Sequence, residues 1–357
     1  MATIIISVIL CCIVVIFLGK PANACTRAVY LGSEDTIITV RSMDWLTEME
    51  TNLWAFPRGM KRNGAAGVNS LEWTSRYGSV ISSVFENGTV DGINEKGLVV
   101  NMLYLTESVY PTPLPNDTRK PMSISVWVQY FLDNFATVAE AVTELKTEPF
   151  YVIPTTSPEG KPGTVHLSLS DATGDSAILE YVEGKLNIHH SREYQVMTNS
   201  PIYEHQLALN TYWQSIGGTT MLPGTNRAAD RFVRASFYIN AVTQTSDNQE
   251  AIAAAFSVIR NASVPRGIST PGQPNISSTI WRTVADHKNR RYYFESTRSP
   301  NVFWVNLDDL DFTAGNPVKK LTLTNGELFA GNTAAKFEVA EPFQFLAATP
   351  YSSTKNG

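Results

Sequence analysis

The residue with the clearest potential for chemistry is Cys25, which stands in the stretch ANACTRAVYLG. Ala22, Asn23 and Ala24 form the small-x-small pattern that a signal peptidase cleaves, and they follow a nearly continuous apolar run over residues 1–18. Cleavage after Ala24 would leave Cys25 as the first residue, with a thiol and a free α-amine together. Because an α-amine titrates near pH ~8, part of it is a neutral base near neutrality and can accept the thiol proton. The sequence therefore predicts one residue that supplies both nucleophile and base.

Other fates of this cysteine stay open from the residues alone. The apolar run approaches the length of a membrane span and no Lys or Arg precedes it, which favours an uncleaved anchor. A lipid on the cysteine is a second alternative, although Asn23 fits a lipoprotein site poorly, and a thiol without a role is a third. Cys11 and Cys12 would leave on cleavage, so the mature chain would keep one cysteine and no intramolecular disulfide. We expect residues 1–24 to be a cleaved signal peptide, with no stable membrane anchor afterwards and a periplasmic or secreted location.

Two charged residues close to the cysteine in sequence strengthen the catalytic interpretation. If CTRAVYLG and DTIITVRSMDW pair as a hairpin, the end of the second strand returns beside Cys25. Arg41 would then place a positive charge near the thiol and favour thiolate, and Asp44 could hydrogen-bond the α-ammonium. Alone, an Arg–Asp pair at a strand end is a common surface ion pair. Beside a terminal cysteine, the pair instead indicates a reactive site.

Composition and motifs argue against several other functions. The net charge is −5 and no basic cluster suggests a phosphate-binding face, so nucleic acid is not an expected partner. The chain has no nucleotide-binding glycine loop, HExxH or GxSxG, and no CxxC after residue 24. His189 and His190 would face opposite sides of a strand and could not share a metal ion. We expect neither a metal nor a cofactor.

The elements that must position these residues alternate between strands and pairs of helices. Residues 123–147 have helical periodicity, and Thr137 followed by Glu140 forms a capping box, which predicts two consecutive helices. Two more helices are predicted in NRAADRFVRASFYINAV and QEAIAAAFSVIRNA. Strands are predicted in GSVISSVF, KGLVVNMLYL, TVHLSLSDATGDSAILEYVEGKLNIHHS, YQVMTNSP, STIWRTVADHKNRRYYFES and NVFWVNLDDL. Hairpin connections and the lack of a linker predict one α+β domain over residues 25–345, with a poorly ordered tail over 346–357.

These stretches resemble the choloylglycine hydrolase family, which contains penicillin V acylases and conjugated bile acid hydrolases and belongs to the N-terminal-nucleophile (Ntn) hydrolases. The resemblance runs from residue 25 to about 345. Within the family, the sequence is similar to the Gram-negative penicillin V acylases, some of which also cleave N-acyl-homoserine lactones. It is carried by CTRAVYLG, RSMDW, DGINEKGLVVNMLYL, YFLDNFAT, YQVMTNSPIYEHQLALNTYW, MLPGTNRAADRFVRASFY and SSTIWRTVADHKNRRYYFES. It implies an αββα four-layer sandwich of two antiparallel sheets between helical layers, no cofactor, and a homotetramer.

The resemblance also assigns catalytic roles. Cys25 corresponds to the nucleophile, and Arg41 and Asp44 to the pair that flanks it. Asn199 in MTNSP corresponds to an asparagine whose side-chain amide helps to form the oxyanion hole, although by itself an Asn before Ser-Pro is typical of a turn. Arg231 in DRFVR corresponds to a family arginine near the nucleophile.

Three further residues complete the predicted site. Arg234 lies one helical turn after Arg231 and is the alternative to it, because residues three apart share a helix face. Tyr104 in NMLYL falls where the family has its second oxyanion donor, a backbone N–H that any side chain permits. The resemblance further implies that Trp45 and Tyr104 line the acyl pocket, although Trp45 could equally be part of the core.

The activity implied is hydrolysis of the linear amide bond of an N-acylated small molecule, by acyl transfer through a Cys25 thioester. The aromatic residues Trp45 and Tyr104 favour flat or extended acyl groups, as in penicillin V or acyl-homoserine lactones. Conjugated bile acids are the alternative substrates. A lipid-anchored binding protein and a membrane protein that keeps residues 1–24 are the alternatives without an enzyme.

Overall fold

The computed structural model describes residues 25–114, 116–156, 163–268 and 277–348. The predicted signal peptide and residues 349–357 of the predicted tail lie outside this part of the chain. The described residues form twenty strands, five α-helices and two short 3₁₀ turns, at Leu307–Asp309 and Ala334–Lys336. The helices are α1 (Ile124–Asn134), α2 (Val138–Leu145), α3 (Tyr203–Ile216), α4 (Ala228–Ala241) and α5 (Asn248–Asn261). The strands are β1 (Thr26–Leu31), β2 (Ile37–Trp45), β3 (Leu53–Phe56), β4 (Lys61–Asn63), β5 (Glu72–Thr74), β6 (Ser79–Val84), β7 (Gly88–Asn94), β8 (Val99–Tyr104), β9 (Lys120–Ser123), β10 (Phe150–Ile153), β11 (Val165–Ser170), β12 (Ser176–Val182), β13 (Lys185–His190), β14 (Val196–Met197), β15 (Ser278–Asp286), β16 (Arg291–Ser296), β17 (Val302–Asn306), β18 (Lys319–Leu321), β19 (Gly331–Asn332) and β20 (Glu338–Val339).

Two large sheets contain most of these strands. The first sheet has the order β14-β1-β2-β15-β16-β17-β19, and the second has the order β13-β12-β11-β8-β7-β6-β3-β18-β20. Every neighbouring pair in these two sheets is antiparallel except β17 with β19. Helices α4 and α5 pack on the first sheet, whereas α1 and α2 pack on the second. The αββα four-layer sandwich of the Ntn hydrolases is therefore confirmed.

The hairpin that carries the nucleophile has the predicted form. Strands β1 and β2 pair antiparallel, with Thr26 opposite Ser42 and Arg27 opposite Arg41. All nine residues of β2 are buried, because α5 covers one face of the first sheet and the second sheet lies against the other. Cys25, which directly precedes β1, consequently lies inside the molecule beside the end of β2.

Buried polar pairs join the two sheets near this hairpin. Thr39 Oγ1 and Ser170 Oγ share a hydrogen bond of 2.7 Å. Tyr292 Oη hydrogen-bonds Ser82 at 2.9 Å and also contacts Asp91. Because a buried polar group is costly unless it has a partner, these pairs fix how the sheets face each other.

The helices differ in how clearly the sequence predicted them. Helices α1 and α2 are separate, as the capping box indicated: Thr137 Oγ1 accepts the Glu140 N–H at 3.2 Å, and Glu140 Oε2 accepts the Ala136 N–H at 2.8 Å. Helix α3 was missed. Its N-cap, Ile202, makes no side-chain cap bond and only Tyr203 and Gln206 on it are buried, so neither a capping nor an amphipathic signal marked it.

The first residues of the predicted tail are attached to the domain. The Leu346 N–H donates to the Asn87 carbonyl at 2.7 Å, and the Ala348 N–H donates to the Ala65 carbonyl at 2.8 Å. Residues 346–348 are thus held by backbone hydrogen bonds, and the tail after them is not described.

Candidate active site

Cys25 lies at the N-terminal end of β1 and only 2% of its surface is exposed. The Asp44 N–H donates to Cys25 Sγ at 3.5 Å, and Met43 Sδ lies 3.9 Å from the same sulfur atom. The Cys25 N–H donates to Asn199 Oδ1 at 2.5 Å. Both groups that the predicted chemistry needs, the sulfur and the main-chain nitrogen, therefore contact residues of the predicted site.

Asn199 reaches Cys25 through the pairing of β14 with β1. Arg27 lies opposite Met197, so antiparallel register brings Asn199, two residues later, opposite Cys25, two residues earlier. Asn199 Oδ1 also accepts from Arg231 Nη2 at 2.9 Å, and Asn199 Nδ2 donates to the Tyr104 carbonyl at 2.7 Å. An amide NH₂ group has two hydrogens, so a second one remains for a developing oxyanion.

Arg231, on α4, connects the nucleophile with the predicted oxyanion residue. Its Nη1 donates to the Cys25 carbonyl at 2.6 Å and to Thr26 Oγ1 at 2.5 Å. The alternative, Arg234, instead donates through Nη1 to the carbonyls of Pro223 and Thr225 at 2.8 and 2.7 Å. The structure thus brings Arg231 to Cys25 and uses Arg234 to hold the loop before α4.

Arg41 lies in the buried network between the sheets and lines the same cavity as Cys25. Its Nη2 donates to the Met102 carbonyl at 2.8 Å, and its guanidinium stands over the Trp281 ring at 4.6 Å. Asp91 Oδ2 is 3.8 Å from Arg41 Nη1, and Asn101 Nδ2 donates to the same oxygen at 2.7 Å. Asp91 was not among the predicted site residues, although its carboxylate is a buried counter-charge to Arg41.

Asp44 has one satisfied oxygen and one without a partner. Thr279 Oγ1 donates to Oδ1 at 2.5 Å, whereas the buried Oδ2 has no hydrogen bond among the described residues. Burial raises the pKa of Asp44 to about 6, against the opposing effects of Arg231, the Thr279 hydroxyl and Arg41. A buried carboxylate oxygen without a donor, next to the nucleophile, is able to accept from an ammonium group.

The protonation of the thiol depends on opposing effects. Burial raises the pKa of the Cys25 thiol above its ordinary value, and the Asp44 carboxylate acts in the same direction. Arg41 and Arg231 act the other way, as we expected for Arg41. The effect of burial on the thiol pKa outweighs that of the two arginines, so the protonated thiol is favoured in this site.

The N–H and the carbonyl of Tyr104 both point to the side of β8 on which Asn199 lies. Opposite residues of an antiparallel ladder alternate between hydrogen-bonded and non-hydrogen-bonded pairs. The Leu105 N–H donates to the Thr164 carbonyl at 3.0 Å, so the next pair, Tyr104 with Val165, is not hydrogen-bonded. Both the N–H and the carbonyl of Tyr104 consequently point away from β11, and the carbonyl accepts from Asn199. The N–H lies on that side as well, as a second oxyanion donor requires.

A cavity of about 120 Å³ adjoins the sulfur atom. Trp45 and Tyr104 both line it, with ring centroids 6.0 Å apart and planes at 60° in an edge-to-face contact. The other walls are largely apolar and include Met43, Met49, Phe85, Leu103, Ile124 and Val165. The two aromatic residues that we predicted as pocket residues therefore share a hydrophobic cavity with Cys25.

Gln206 on α3 holds the Asn199 segment in place and was missed with that helix. Its Nε2 donates to the carbonyls of Asn199 and Pro201, both at 2.5 Å, and its Oε1 accepts from Thr198 Oγ1 at 3.0 Å. A fully buried glutamine with both ends of its amide bonded fixes the backbone around it. Only a correct prediction of α3 could have indicated a role for this residue.

No metal site is found among the described residues, where no three His, Cys, Asp or Glu side chains converge. His189 Nε2 is 3.7 Å from Glu180 Oε2, whereas His190 Nε2 is 2.8 Å from Asp175 Oδ2, so the two rings have different partners. In the same part of the chain, no helix is long and apolar enough to cross a membrane.

Comparisons with known proteins identify the family to which the chain belongs. The family model for linear amide C–N hydrolases of the choloylglycine hydrolase family matches residues 25–320. Penicillin V acylase of Pectobacterium atrosepticum is 51% identical, over 93% of this chain and 95% of the relative. The structure of penicillin V acylase from Agrobacterium tumefaciens superposes with a TM-score of 0.84 and 55% identity, over 90% of this chain and 100% of that one.

More distant relatives include a bile salt hydrolase/transferase of Clostridium perfringens. It is 26% identical, over 78% of this chain and 91% of the relative. A structure of a conjugated bile acid hydrolase variant from that organism shares the fold, with a TM-score of 0.72 and 22% identity, over 84% of this chain and 97% of that one. From the matched family model and the penicillin V acylase relatives, the chain belongs to the choloylglycine hydrolase family of linear amide C–N hydrolases.

Proposed function

We propose that this protein is an N-terminal cysteine amidohydrolase of the penicillin V acylase type, which cleaves the linear amide of N-acylated small molecules through a thioester on Cys25. The observation that carries the proposal is the environment of the Cys25 nitrogen. Asn199 Oδ1 accepts from this nitrogen, and Asp44, whose N–H donates to Cys25 Sγ, has a buried Oδ2 without a donor among the described residues. An α-ammonium at Cys25 would supply that donor.

The proposal includes maturation by cleavage after Ala24. While Ala24 stays attached, the Cys25 nitrogen is an amide and cannot act as a base. The match to the family model begins at Cys25, which supports a mature chain that starts there. Export to the periplasm or outside the cell and assembly as a homotetramer belong to the same proposal.

Acylation starts with transfer of the thiol proton to the neutral α-amine of Cys25. The thiolate attacks the amide carbonyl carbon, a C–S bond forms, and the carbonyl electron pair moves to the oxygen. Asn199 Nδ2 and the Tyr104 N–H stabilise this oxyanion, because preorganised donors are worth most where charge develops. The α-ammonium protonates the leaving nitrogen as the C–N bond breaks, and a thioester and a free amine result.

Deacylation reverses the proton movements. The α-amine takes a proton from water, and the resulting hydroxide attacks the thioester carbonyl. The same two donors hold the second oxyanion, the C–S bond breaks, and the sulfur recovers its proton from the ammonium. The acyl group leaves as a carboxylic acid. Asp44 keeps the ammonium in position throughout, and Arg231 keeps Asn199 against the nitrogen.

The cavity favours an aromatic or alkyl acyl group. An engineered cavity of roughly 150 Å³ is able to bind benzene, and the cavity next to Cys25, of about 120 Å³, is of similar size. The phenyl ring of a phenoxyacetyl group and a straight alkyl chain are each narrow enough for a cavity of this size. The four fused rings of a steroid are wider. We therefore propose penicillin V and N-acyl-homoserine lactones as substrates, with conjugated bile acids as the alternative that the 26% identical relative suggests.

Three forms of the protein test the function. They are the mature chain that begins at Cys25, its Cys25→Ser variant, and a form with one uncleaved residue before Cys25. Release of the free amine from penicillin V, from an acyl-homoserine lactone and from a bile conjugate is measured for each. We expect activity in the first form alone. Full activity in the other two forms contradicts the proposed function.

The remaining alternatives have their own tests. The mass of the first peptide of the exported chain distinguishes a free cysteine terminus from a lipid-anchored binding protein and from a chain that keeps residues 1–24. A rate on bile conjugates well above the other two favours the bile acid alternative.

A further inference from the structure

The C-terminal segment of the described chain returns to the acyl cavity. Residues 343–348, here called the C-terminal wall, lie beyond residue 320, where the match to the family model ends. Leu346 lines the same cavity as Cys25, Trp45 and Tyr104. A part of the chain beyond the residues that the family model matches thus contributes to the cavity surface.

Backbone hydrogen bonds hold Leu346 at this position. Its N–H donates to the Asn87 carbonyl at 2.7 Å, and its carbonyl accepts from Ser123 Oγ and from Ser125 Oγ, each at 2.8 Å. Asn87 and Ser125 also line the cavity. Because these bonds use main-chain atoms of Leu346, its side chain can be exchanged without loss of the bonds that place the segment.

Aromatic contacts anchor the preceding residues of the C-terminal wall. Phe343 meets Trp54 edge-to-face with ring centroids 5.3 Å apart, and Phe345 meets Phe343 at 5.0 Å. The Arg62 guanidinium stands over the Phe345 ring at 5.5 Å. Since the Ala348 N–H also donates to the Ala65 carbonyl at 2.8 Å, the segment is held on both sides of Leu346.

We infer that Leu346 is a specificity-determining residue that limits the length of the acyl group. The inference rests on the proposed function. Leu346 is partly exposed and lines the cavity together with Ile124 and Ser125 at the start of α1. A smaller side chain lengthens the space for the acyl chain, and a larger one shortens it. One methylene group in a hydrophobic pocket changes substrate preference by about 10- to 200-fold.

The experiment compares acyl chains of increasing length in three variants. The substrates are straight-chain N-acyl derivatives, from butanoyl to dodecanoyl, of whichever amine the wild-type enzyme releases fastest. The variants are Leu346→Ala, Leu346→Phe and, as a matched control, Leu328→Ala, since Leu328 is 66% exposed and does not line this cavity. The readout is the ratio of kcat/KM for the dodecanoyl substrate to kcat/KM for the hexanoyl substrate.

We expect Leu346→Ala to raise this ratio by about tenfold or more and Leu346→Phe to lower it by a similar factor. The control is expected to keep the wild-type ratio and, like both variants, the wild-type unfolding temperature to within a few degrees. A uniform change in all rates with an unchanged ratio, or the same direction of change in both variants, overturns the inference. Failure of the wild-type enzyme on penicillin V and on every acyl substrate is a distinct result, because it contradicts the proposed function itself.

Discussion

Two substitutions of Asn199 separate its proposed role as an oxyanion donor from its role as the acceptor that positions the Cys25 nitrogen. Asn199→Asp keeps an oxygen that can accept from the Cys25 nitrogen and from Arg231, but it removes the NH₂ group that donates to the Tyr104 carbonyl. Asn199→Ala removes the acceptor and the donor together. If the amide acts as an oxyanion donor, both variants lose catalysis. If Asn199 only positions Cys25, the aspartate retains most of it.

The expected magnitudes follow from these contacts. Removal of one oxyanion donor lowers kcat by about 10²- to 10³-fold. We expect this loss in both variants, with a larger loss for Asn199→Asp because its carboxylate repels the developing oxyanion. Stability is expected to follow the opposite order. Asn199→Ala leaves the Cys25 N–H and Arg231 Nη2 without their acceptor, which costs about 1–3 kcal/mol of the free energy of unfolding, whereas the aspartate keeps an acceptor and has a charge opposite to that of Arg231.

Steady-state kinetics on penicillin V check the expected order of the kcat losses. Denaturant unfolding of the same samples checks the expected order of stability. Ser200→Ala is the matched control, because Ser200 is the next residue and its hydroxyl donates to Glu107 at 2.7 Å instead of to the site. We expect a kcat close to the wild-type value for this control. A kcat for Asn199→Asp within about threefold of wild type would refute the assignment of the amide as an oxyanion donor.

Three further predictions concern the groups around Cys25. Arg231→Lys is expected to lower kcat/KM by about 10- to 100-fold, because an ammonium cannot replace the several donors of the guanidinium, whereas Arg234→Lys changes it little; steady-state kinetics compare the two. Burial raises the pKa of Asp44 to about 6, above its ordinary value of 3.8, so its contribution to the free energy of unfolding falls as pH rises from about 4 to 6. An α-ammonium at Cys25 opposes this rise, so the loss of stability is expected to be smaller in the mature chain than in the form with one uncleaved residue; denaturant unfolding of both forms over this pH range checks it, and an equal pH dependence is the contrary result. Gln206→Ala is expected to lower the free energy of unfolding by about 1–3 kcal/mol and to lower kcat, since three buried hydrogen bonds are lost; unchanged values of both would exclude a positioning role.

The sequence predicted the hairpin and its reactive end because the signals there are local. Alternating β-rich runs placed Arg41 and Asp44 close to Cys25, and the structure has that pairing. Asn199 and Arg231 are different, since they contact Cys25 from 174 and 206 residues away. No periodicity relates residues at such separations, and only the resemblance to a family identified them.

The remaining site residues escaped prediction for physical reasons. Asp91 and Gln206 are buried polar residues. Their roles depend on hydrogen bonds to residues of other elements, which the fold brings close to them. Helix α3 lacks the capping residue and the apolar stripe that mark a helix in sequence. Leu346 lies in a stretch whose position depends on main-chain bonds to Asn87, which no side-chain pattern reveals.

Under the proposed mechanism, burial of the thiol makes cleavage the step that switches on activity. The pKa of Cys25 is raised by burial in spite of Arg41 and Arg231, so the sulfur does not become a thiolate through its charged neighbours alone. The same enclosure leaves Asp44 Oδ2 without a donor among the described residues. A newly formed α-amine meets both needs, since as a base it takes the thiol proton and as an ammonium it donates to Asp44. An uncleaved chain would have the oxyanion donors and the cavity in place and would still lack the base that takes the thiol proton.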